Sequence, residues 1–317
     1  MPVYRDVTVV VSKNDEGKRL DSFLREKFPD ASRGTIRKAF LERAILINGR
    51  EARKGEMVKE GDRVTVLRLQ SRADVRYWPN FIYGPKVIYK DDRVAALYKP
   101  PFMHTLPAHY GEKDTLANYA AYMFASDLDD EFLTPPRFLS RLDYETSGLV
   151  LMARDDETLA FLKEKQDAGE IVKTYVFLTT KPVSGSVTVT NKIVTTGGAR
   201  VKVSKREHFE DPVYHTAFEV DSIYDGVTLV RATIKKGRMH QIRAHAAFAG
   251  FPILGDVKYG GDVLDVMKEL PLRPLLHSYQ VEFPHPSGKI RMKVNCPYPE
   301  DLYRVLQHFQ TLSDKPR

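Results

Sequence analysis

The sequence predicts an α+β protein in two parts, a small α/β module followed by a larger domain in which helices are interspersed among strands. Three observations carry this. Short β-branched runs meet turn dipeptides such as Asn48-Gly49 and Asp225-Gly226, which point to hairpins. Other segments place apolar residues at helical spacing. Between the two parts, Ser71 to Pro85 mixes charge, aromatics and two prolines without periodicity. This sets a module over 1–70, a linker over 71–85 and a second domain over 86–317.

Composition bounds the function. A chain of 317 residues with 42% hydrophobic and 29% charged residues is globular rather than disordered. The single cysteine, Cys296, excludes an internal disulfide framework and suits a reducing compartment. No run approaches the ~20 apolar residues of a membrane helix, and Met-Pro-Val-Tyr-Arg-Asp lacks a signal-peptide core. A cytoplasmic protein without a membrane partner is expected. The formal charge is +7 and the pI about 9.2. Residues 1–70 hold 16 basic and 11 acidic side chains, so +5 of the +7 sits there, and a polyanion would meet that end first.

In the module, Val7 to Ser12 reads as a strand and Lys18 to Phe28 as a helix with Leu20, Phe23, Leu24 and Phe28 inward. After Pro29-Asp30, Ser32 is the N-cap for a helix from Arg33 to Glu42. Ile36, Ala39 and Phe40 form its apolar side, with Arg33, Arg37 and Lys38 opposite. Strand Ile45 to Ile47 enters the Asn48-Gly49 turn, and Gly61-Asp62 leads to strand Arg63 to Leu69. The basic helix face is either a solvated surface or a phosphate-binding one. Arg19-Leu20-Asp21, Ser32 to Lys38, Ile47-Asn48-Gly49-Arg50 and Glu60-Gly61-Asp62 together resemble the S4-like RNA-binding domain, over roughly residues 17–69. The resemblance implies that Arg33, Arg37 and Lys38 lie along an RNA phosphate backbone, contacts that position without reading sequence.

The second domain opens with a hairpin, Val87 to Tyr89 and Val94 to Tyr98, ending at Lys99-Pro100-Pro101. His104 and His109 flank the next loop, but no third ligand follows at useful spacing, so no metal is expected. Helix Leu116 to Phe124 precedes two apolar strands, Phe138 to Leu142 and Leu149 to Ala153, joined by a polar turn that Gly148 closes. Asp143 sits where the chain leaves the first strand. It either caps the turn or carries chemistry on a loop held by the scaffold. Helix Glu157 to Gln166 follows, with Asp155 and Asp156 at its positive end. In strand Ile171 to Leu178, period two puts Lys173, Tyr175 and Phe177 on one face, where Tyr175 could be plain packing. Val187 to Val203 and Val213 to Ile223 are expected to continue the sheet, and Asp225-Gly226 turns into Val227 to Ile234.

Lys235 to Gly250 joins a basic loop to a short helix ended by Gly250 and Pro252. His240, Arg243 and Ala247 share one face, Gln241 and His245 another. An Arg amid small apolar helix residues needs a carboxylate partner if buried, and Asp143 is the partner expected. Near the end, Glu300 to Leu312 reads as an amphipathic helix with Leu302, Val305, Leu306 and Phe309 inward.

Arg141-Leu142-Asp143 with Thr146-Ser147-Gly148-Leu149, Lys173-Thr174-Tyr175, and Gly237 to His245 resemble the RluA family of RNA pseudouridine synthases. Tyr98-Lys99-Pro100, Pro252 to Asp256, Tyr259-Gly260 and His277 ahead of Phe283 to Gly288 agree with it, so the likeness spans Val87 to Pro297. It implies the pseudouridine synthase fold, a largely antiparallel mixed bent sheet with flanking helices. It also implies an isomerase that converts uridine to pseudouridine in structured RNA, of the large-subunit ribosomal type, with Asp143 as the catalytic carboxylate. Arg243 would neutralise and orient Asp143, Tyr175 would stack on the uracil, and Arg141 would fill the gap left by a flipped base. Lys173, Arg238 and His240 would contact the RNA, and a monomer without cofactor would suffice. Ser140, Tyr144 and Phe102 to Thr105 depart from the family pattern, which bears on the choice of uridine and on how flanking bases are held.

Two alternatives use the same layout, a transfer RNA pseudouridine synthase and a non-catalytic RNA-binding or ribosome-assembly protein. A glycoside hydrolase using Asp143 and Glu145 is weaker, since carboxylates two apart on a turn have no fixed separation across a sugar. The chain lacks a phosphate-cradling Gly loop and a Gly-x-Ser-x-Gly elbow, so Ser147 reads as turn chemistry.

Overall fold

Apolar residues on two short helices and on alternate strand positions build the first unit around one core. The computed structural model describes residues 5–28, 31, 33–69, 80, 82–108, 112–124, 136–195, 200–288 and 290–313. The chain separates into two compact units, Met1–Tyr77 and Trp78–Arg317. Most of the expected linker, at 71–79 and 81, lies outside the described residues, as does His109.

The first unit runs β1 (Arg5–Val10), α1 (Leu20–Lys27), α2 (Arg33–Leu41), β2 (Ile45–Ile47), β3 (Arg50–Glu51) and β4 (Arg63–Leu69). Its sheet has the order β1-β4-β2-β3 with antiparallel pairs throughout. Leu20, Phe23, Leu24, Ile36 and Ala39 from the helices bury against Ile45, Ile47, Val64 and Val66. Asn48 and Gly49 have φ of 51° and 85°, the left-handed pair that a two-residue hairpin requires. Asn48 also ties the turn to β4, accepting from Arg63 N–H at 2.8 Å and donating to Asp62 Oδ1 at 2.8 Å. Before α1, buried Asp15 accepts from Lys18 at 2.7 Å and pairs with Lys27 at 2.8 Å. These ammonium groups, with the Ser12 hydroxyl, hold its carboxyl well below the usual carboxylate range.

The second unit runs β5 (Lys86–Lys90), β6 (Val94–Lys99), α3 (Leu116–Phe124), β7 (Arg137–Phe138), β8 (Ser147–Ala153), α4 (Asp156–Asp167) and β9 (Val172–Thr179). It continues with β10 (Ser186–Val189), β11 (Asn191–Thr195), β12 (Val201–His208), β13 (Thr216–Tyr224), β14 (Val227–Ile234), α5 (Gln241–Phe248), β15 (Leu276–Pro284), β16 (Arg291–Asn295) and α6 (Glu300–Ser313). Among the described residues, the main sheet has the order β10-β13-β14-β9-β15-β8-β6-β5, with β16 on β15 and β7 on β8. All pairs are antiparallel except β8 with β15. The sheet forks at β15, which pairs with β8 through Ser278 and with β16 from Gln280 onward. β11 and β12 stand apart as a two-stranded ribbon. The expectation that Val187 to Val203 continues the sheet therefore holds only for β10, because Ile193 and Val203 pack on the Ala244 and Ala247 side of α5 instead.

The sheet is covered on both faces, so its central strands read as apolar runs rather than alternations. Tyr175 and Phe177 of β9 join a core with Ile242 and Ala246 of α5, while Val176 and Leu178 join one with Leu302, Val305 and Leu306 of α6. β6 divides likewise, Val94 and Ala96 toward Leu162 of α4, and Ala95 and Leu97 toward Leu116 and Tyr119 of α3. Asp155 caps α4, accepting from Thr158 N–H at 2.7 Å. No helix among the described residues is long and apolar enough to cross a membrane.

The turn after β7 is closed by Thr146 N–H donating to Asp143 O at 3.1 Å. Gly148 does not close it. It lies inside β8 with φ 118°, where β15 passes so near that a Cβ would stand 2.3 Å from the Ser278 carbonyl oxygen and 2.6 Å from its nitrogen. Neither backbone can yield without breaking the parallel pair. Gly148→Ala is expected to cost about 2 to 4 kcal/mol through strain and overpacking, read as a lower urea midpoint at unchanged slope.

Candidate active site

Helix α5 is placed by two side chains one turn apart. Gln241 donates to Tyr214 O at 2.8 Å and to Thr216 Oγ1 at 3.0 Å, and accepts from Arg238 N–H at 3.0 Å. His245 Nε2 faces Asn191 O at 2.9 Å and Nδ1 faces Thr216 Oγ1 at 2.8 Å. A carbonyl only accepts, so Nε2 carries the proton and the Thr216 hydroxyl donates to Nδ1. Burial pushes His245 down to about 4, which keeps the ring neutral. With this face bound to the start of β13, the other face presents His240 and Arg243.

Arg243 is 2% exposed. Its Nε and Nη2 form a fork on Asp256, at 2.7 and 2.8 Å, and Asp256 is itself 1% exposed. Nη1 donates to Glu145 Oε2 at 3.0 Å and lies 3.8 Å from Asp143 Oδ2. The expected Asp143 partner is thus present as an ion pair at 3.8 Å, but the hydrogen-bonded partners are two other carboxylates. A buried guanidinium needs in-plane acceptors for its N–H groups, and Asp256 and Glu145 supply them, leaving Asp143 close but not hydrogen-bonded. Burial works against the charged Arg243, and the Asp256 carboxylate outweighs it, holding the group above its usual value.

Asp143 also faces His240, whose Nε2 is 3.8 Å from Oδ2. The Tyr259 hydroxyl accepts from Val201 N–H at 3.0 Å and lies 3.0 Å from His240 Nδ1. When that hydroxyl donates to Nδ1, the remaining imidazole N–H points toward Asp143. Burial holds His240 below the usual imidazole range despite the Asp143 carboxylate. Asp143 keeps 28% of its side chain exposed, and none of the described residues donates a hydrogen bond to its carboxylate.

The Asp143 loop is pinned through its backbone. Lys99, 0% exposed, donates to Pro100 O at 2.9 Å, Met103 O at 2.8 Å and Tyr144 O at 3.3 Å. Burial pushes this ammonium down to about 7, with Arg273 adding to the effect and Asp143 opposing it. Arg273 forks onto Asp301 at 2.5 and 2.8 Å and donates through Nη1 to Glu145 O at 3.2 Å. Leu142 N–H donates to Thr105 Oγ1 at 3.2 Å, and that hydroxyl lies 3.3 Å from Leu142 O. Ser147 is fully buried with its Oγ 3.0 Å from His277 Nδ1, a structural pair closed to solvent.

The expected site residues divide accordingly. Asp143, Arg243 and His240 come together, and Tyr175 packs beneath them in the core that includes Leu142 and Ile242. Burial pushes the Tyr175 hydroxyl up to about 12. Lys173 is buried rather than exposed, because β9 is covered on both faces. The side chain is only 6% exposed, and burial, with Lys236 nearby, pushes it down to about 8. Arg141 and Arg238 are exposed, the latter lying over the Tyr214 ring at 4.5 Å. Arg37 is exposed in the first unit and lines a surface hollow with Arg53 and Lys54. The side chains of Arg33 and Lys38 lie outside the described residues.

Three residues of the site were not anticipated, Lys99, Asp256 and Arg273. Each is a lone charge in an apolar or proline-rich stretch, Leu97 to Pro101, Phe251 to Val257 and Pro271 to Leu276. That context is the available signal, since such a charge is buried only when paired.

The family model for RNA pseudouridylate synthase matches residues 93–248, and the S4 domain model matches residues 18–64. A ribosomal large subunit pseudouridine synthase D of Xanthomonas campestris pv. campestris is 29% identical, covering 94% of this chain and 90% of its own. The protein of that name from Escherichia coli strain K12 is 25% identical over 95% and 93%. Among solved structures, human RNA pseudouridylate synthase domain containing 4 aligns with a TM-score of 0.56 at 22% identity, covering 71% of this chain and 92% of that one. This last likeness concerns the fold.

The Arg243 network sets a stability test. Asp256→Ala leaves a buried guanidinium without its fork and is expected to cost about 3 to 5 kcal/mol. Glu145→Ala removes a partner that is 39% exposed and should cost under about 1 kcal/mol. Urea denaturation of the two variants measures the difference.

Proposed function

Because the chain belongs to the RNA pseudouridine synthase family and carries an S4 domain ahead of the synthase region, we propose that it isomerises uridines of large-subunit ribosomal RNA, with Asp143 as the catalytic carboxylate. The observation that carries the catalytic assignment is the contrast among the acids around Arg243. Asp256 is buried in a fork and Glu145 is hydrogen-bonded, whereas Asp143 stands 3.8 Å from both Arg243 and His240 and is open to solvent. The ribosomal substrate is supported by relatives named for it that match over nearly their whole length.

The reaction breaks the bond from ribose C1′ to uracil N1 and forms one from C1′ to C5. The C5 proton is lost and N1 gains one, so atoms and electrons balance with no oxidant. The Asp143 carboxylate begins this by attacking the nucleoside or by taking a ribose proton to give a glycal. Arg243, fixed by Asp256, supplies the opposing charge without moving. The Tyr175 ring gives the detached uracil an apolar face. Its raised hydroxyl pKa, about 12, keeps it protonated at neutral pH, so it serves as a stacking surface rather than as a resident phenolate base. A paired target must leave its stack, and exposed Arg141, two residues before Asp143, would occupy the gap. In the first unit, Arg37 and its neighbouring cations would hold phosphates.

Loss of the C5 hydrogen provides the assay. Ribosomal RNA transcribed with tritium at uridine C5 should release tritium with the native chain. Asp143→Asn should lower the rate at least about 100-fold without changing the urea midpoint beyond about 0.5 kcal/mol; an Asp143→Asn protein with native turnover would refute the assignment. Arg141→Ala should slow release from folded RNA roughly tenfold more than from an unpaired oligonucleotide, since only the former incurs the unstacking cost.

A further inference from the structure

Beside Asp143 the surface carries three rings with no assigned task. Tyr144 follows Asp143 directly and is 45% exposed, and Phe102 is 37% exposed. Phe102 meets the Tyr144 ring edge-on, with centroids 6.1 Å apart and planes at 71°. The His104 ring lies 4.7 Å from that of Tyr144. We propose that Phe102, His104 and Tyr144 form a stacking surface for the nucleobase adjacent to the target uridine, making them substrate-positioning residues for the reaction proposed above, on which this inference rests.

Three features set this group apart from scattered surface aromatics. Phe102 has a φ of 59°, a left-handed conformation that a bulky side chain rarely adopts and that surrounding structure must impose. The two loops carrying the rings are joined by Met103 N–H donating to Tyr144 O at 3.3 Å, and by Lys99 Nζ donating to both Met103 O and Tyr144 O. The His104 ring is fixed by Glu112, at 2.6 Å from Nδ1. A buried lysine thus sets the rings at a constant position relative to the Asp143 carboxylate. Lys99 Nζ, which holds Tyr144 O, also feels the Asp143 carboxylate, so the rings border the place where a reacting ribose would sit, and we assign them the base one nucleotide along. Every base offers a π face to such rings.

The test uses the full chain and ribosomal RNA tritiated at uridine C5. Tyr144→Ala and Phe102→Ala should each raise KM about 5- to 100-fold, the range for losing one base–aromatic stack, with kcat changing far less, and Tyr144→Phe should recover most of the lost affinity. A short RNA containing the modified uridine, with 2-aminopurine placed in turn on each side, reads the contact directly. Fluorescence from one of the two positions should be quenched by the native chain and not by Tyr144→Ala. Native KM in both alanine variants, a loss confined to kcat, or quenching equal in native and Tyr144→Ala proteins would each overturn the stacking role. If native enzyme releases tritium while one of those results is obtained, the isomerase reading stands and only this inference fails; if native enzyme releases none from any RNA, both fall.

Discussion

The second unit depends on one buried charge being satisfied. Arg243 is out of water, and a guanidinium there is tolerable only with hydrogen-bonded carboxylates around it. Asp256 meets that demand from the loop after α5, Glu145 from the turn after β7. The guanidinium is therefore a fixed point to which two remote stretches of chain must be brought. Asp143 inherits its position from that arrangement. It approaches a cation already hydrogen-bonded three times to Asp256 and Glu145, and so faces positive charge while its own carboxylate accepts no hydrogen bond from the described residues.

Two further buried cations extend the same logic to the backbone. Lys99 collects three carbonyl oxygens and Arg273 reaches the carbonyl of Glu145 while forking onto Asp301 of α6. The loop flanking the Asp143 carboxylate has few regular hydrogen bonds, and these side chains supply the missing partners for its C=O groups. The parallel pair of β8 with β15 stands below, made possible by the absence of a side chain at Gly148. Loop precision near Asp143 thus comes from long cations and one close strand pair rather than from the turn itself.

What could be read from residue order was local. Helix α3 and the turn at Asn48-Gly49 follow from spacing and turn chemistry within a few residues, and both occur where expected. The motif stretches around Asp143 and Arg243 were recognisable as wording, and the structure brings them to 3.8 Å of one another. What could not be read was tertiary choice. Nothing in the helix around Arg243 distinguishes Asp256 from Asp143 as its fork partner, because that depends on how Pro252 to Asp256 folds back. Lys173 was placed on a strand face correctly, yet its burial follows from the second layer over β9. The ribbon of β11 and β12 looks like more sheet until its packing on α5 is known.

The Arg273 contact to Glu145 has a consequence for when the Asp143 turn can take its final shape. A turn formed by residues 143–146 is held by a side chain made about 130 positions later, itself anchored on the first turn of the last helix. During synthesis, the acid-bearing turn emerges long before its braces exist. A partly made chain already carries the basic first unit while the Asp143 turn still lacks these braces, so the turn takes its final position only after Arg273 and Asp301 have been made.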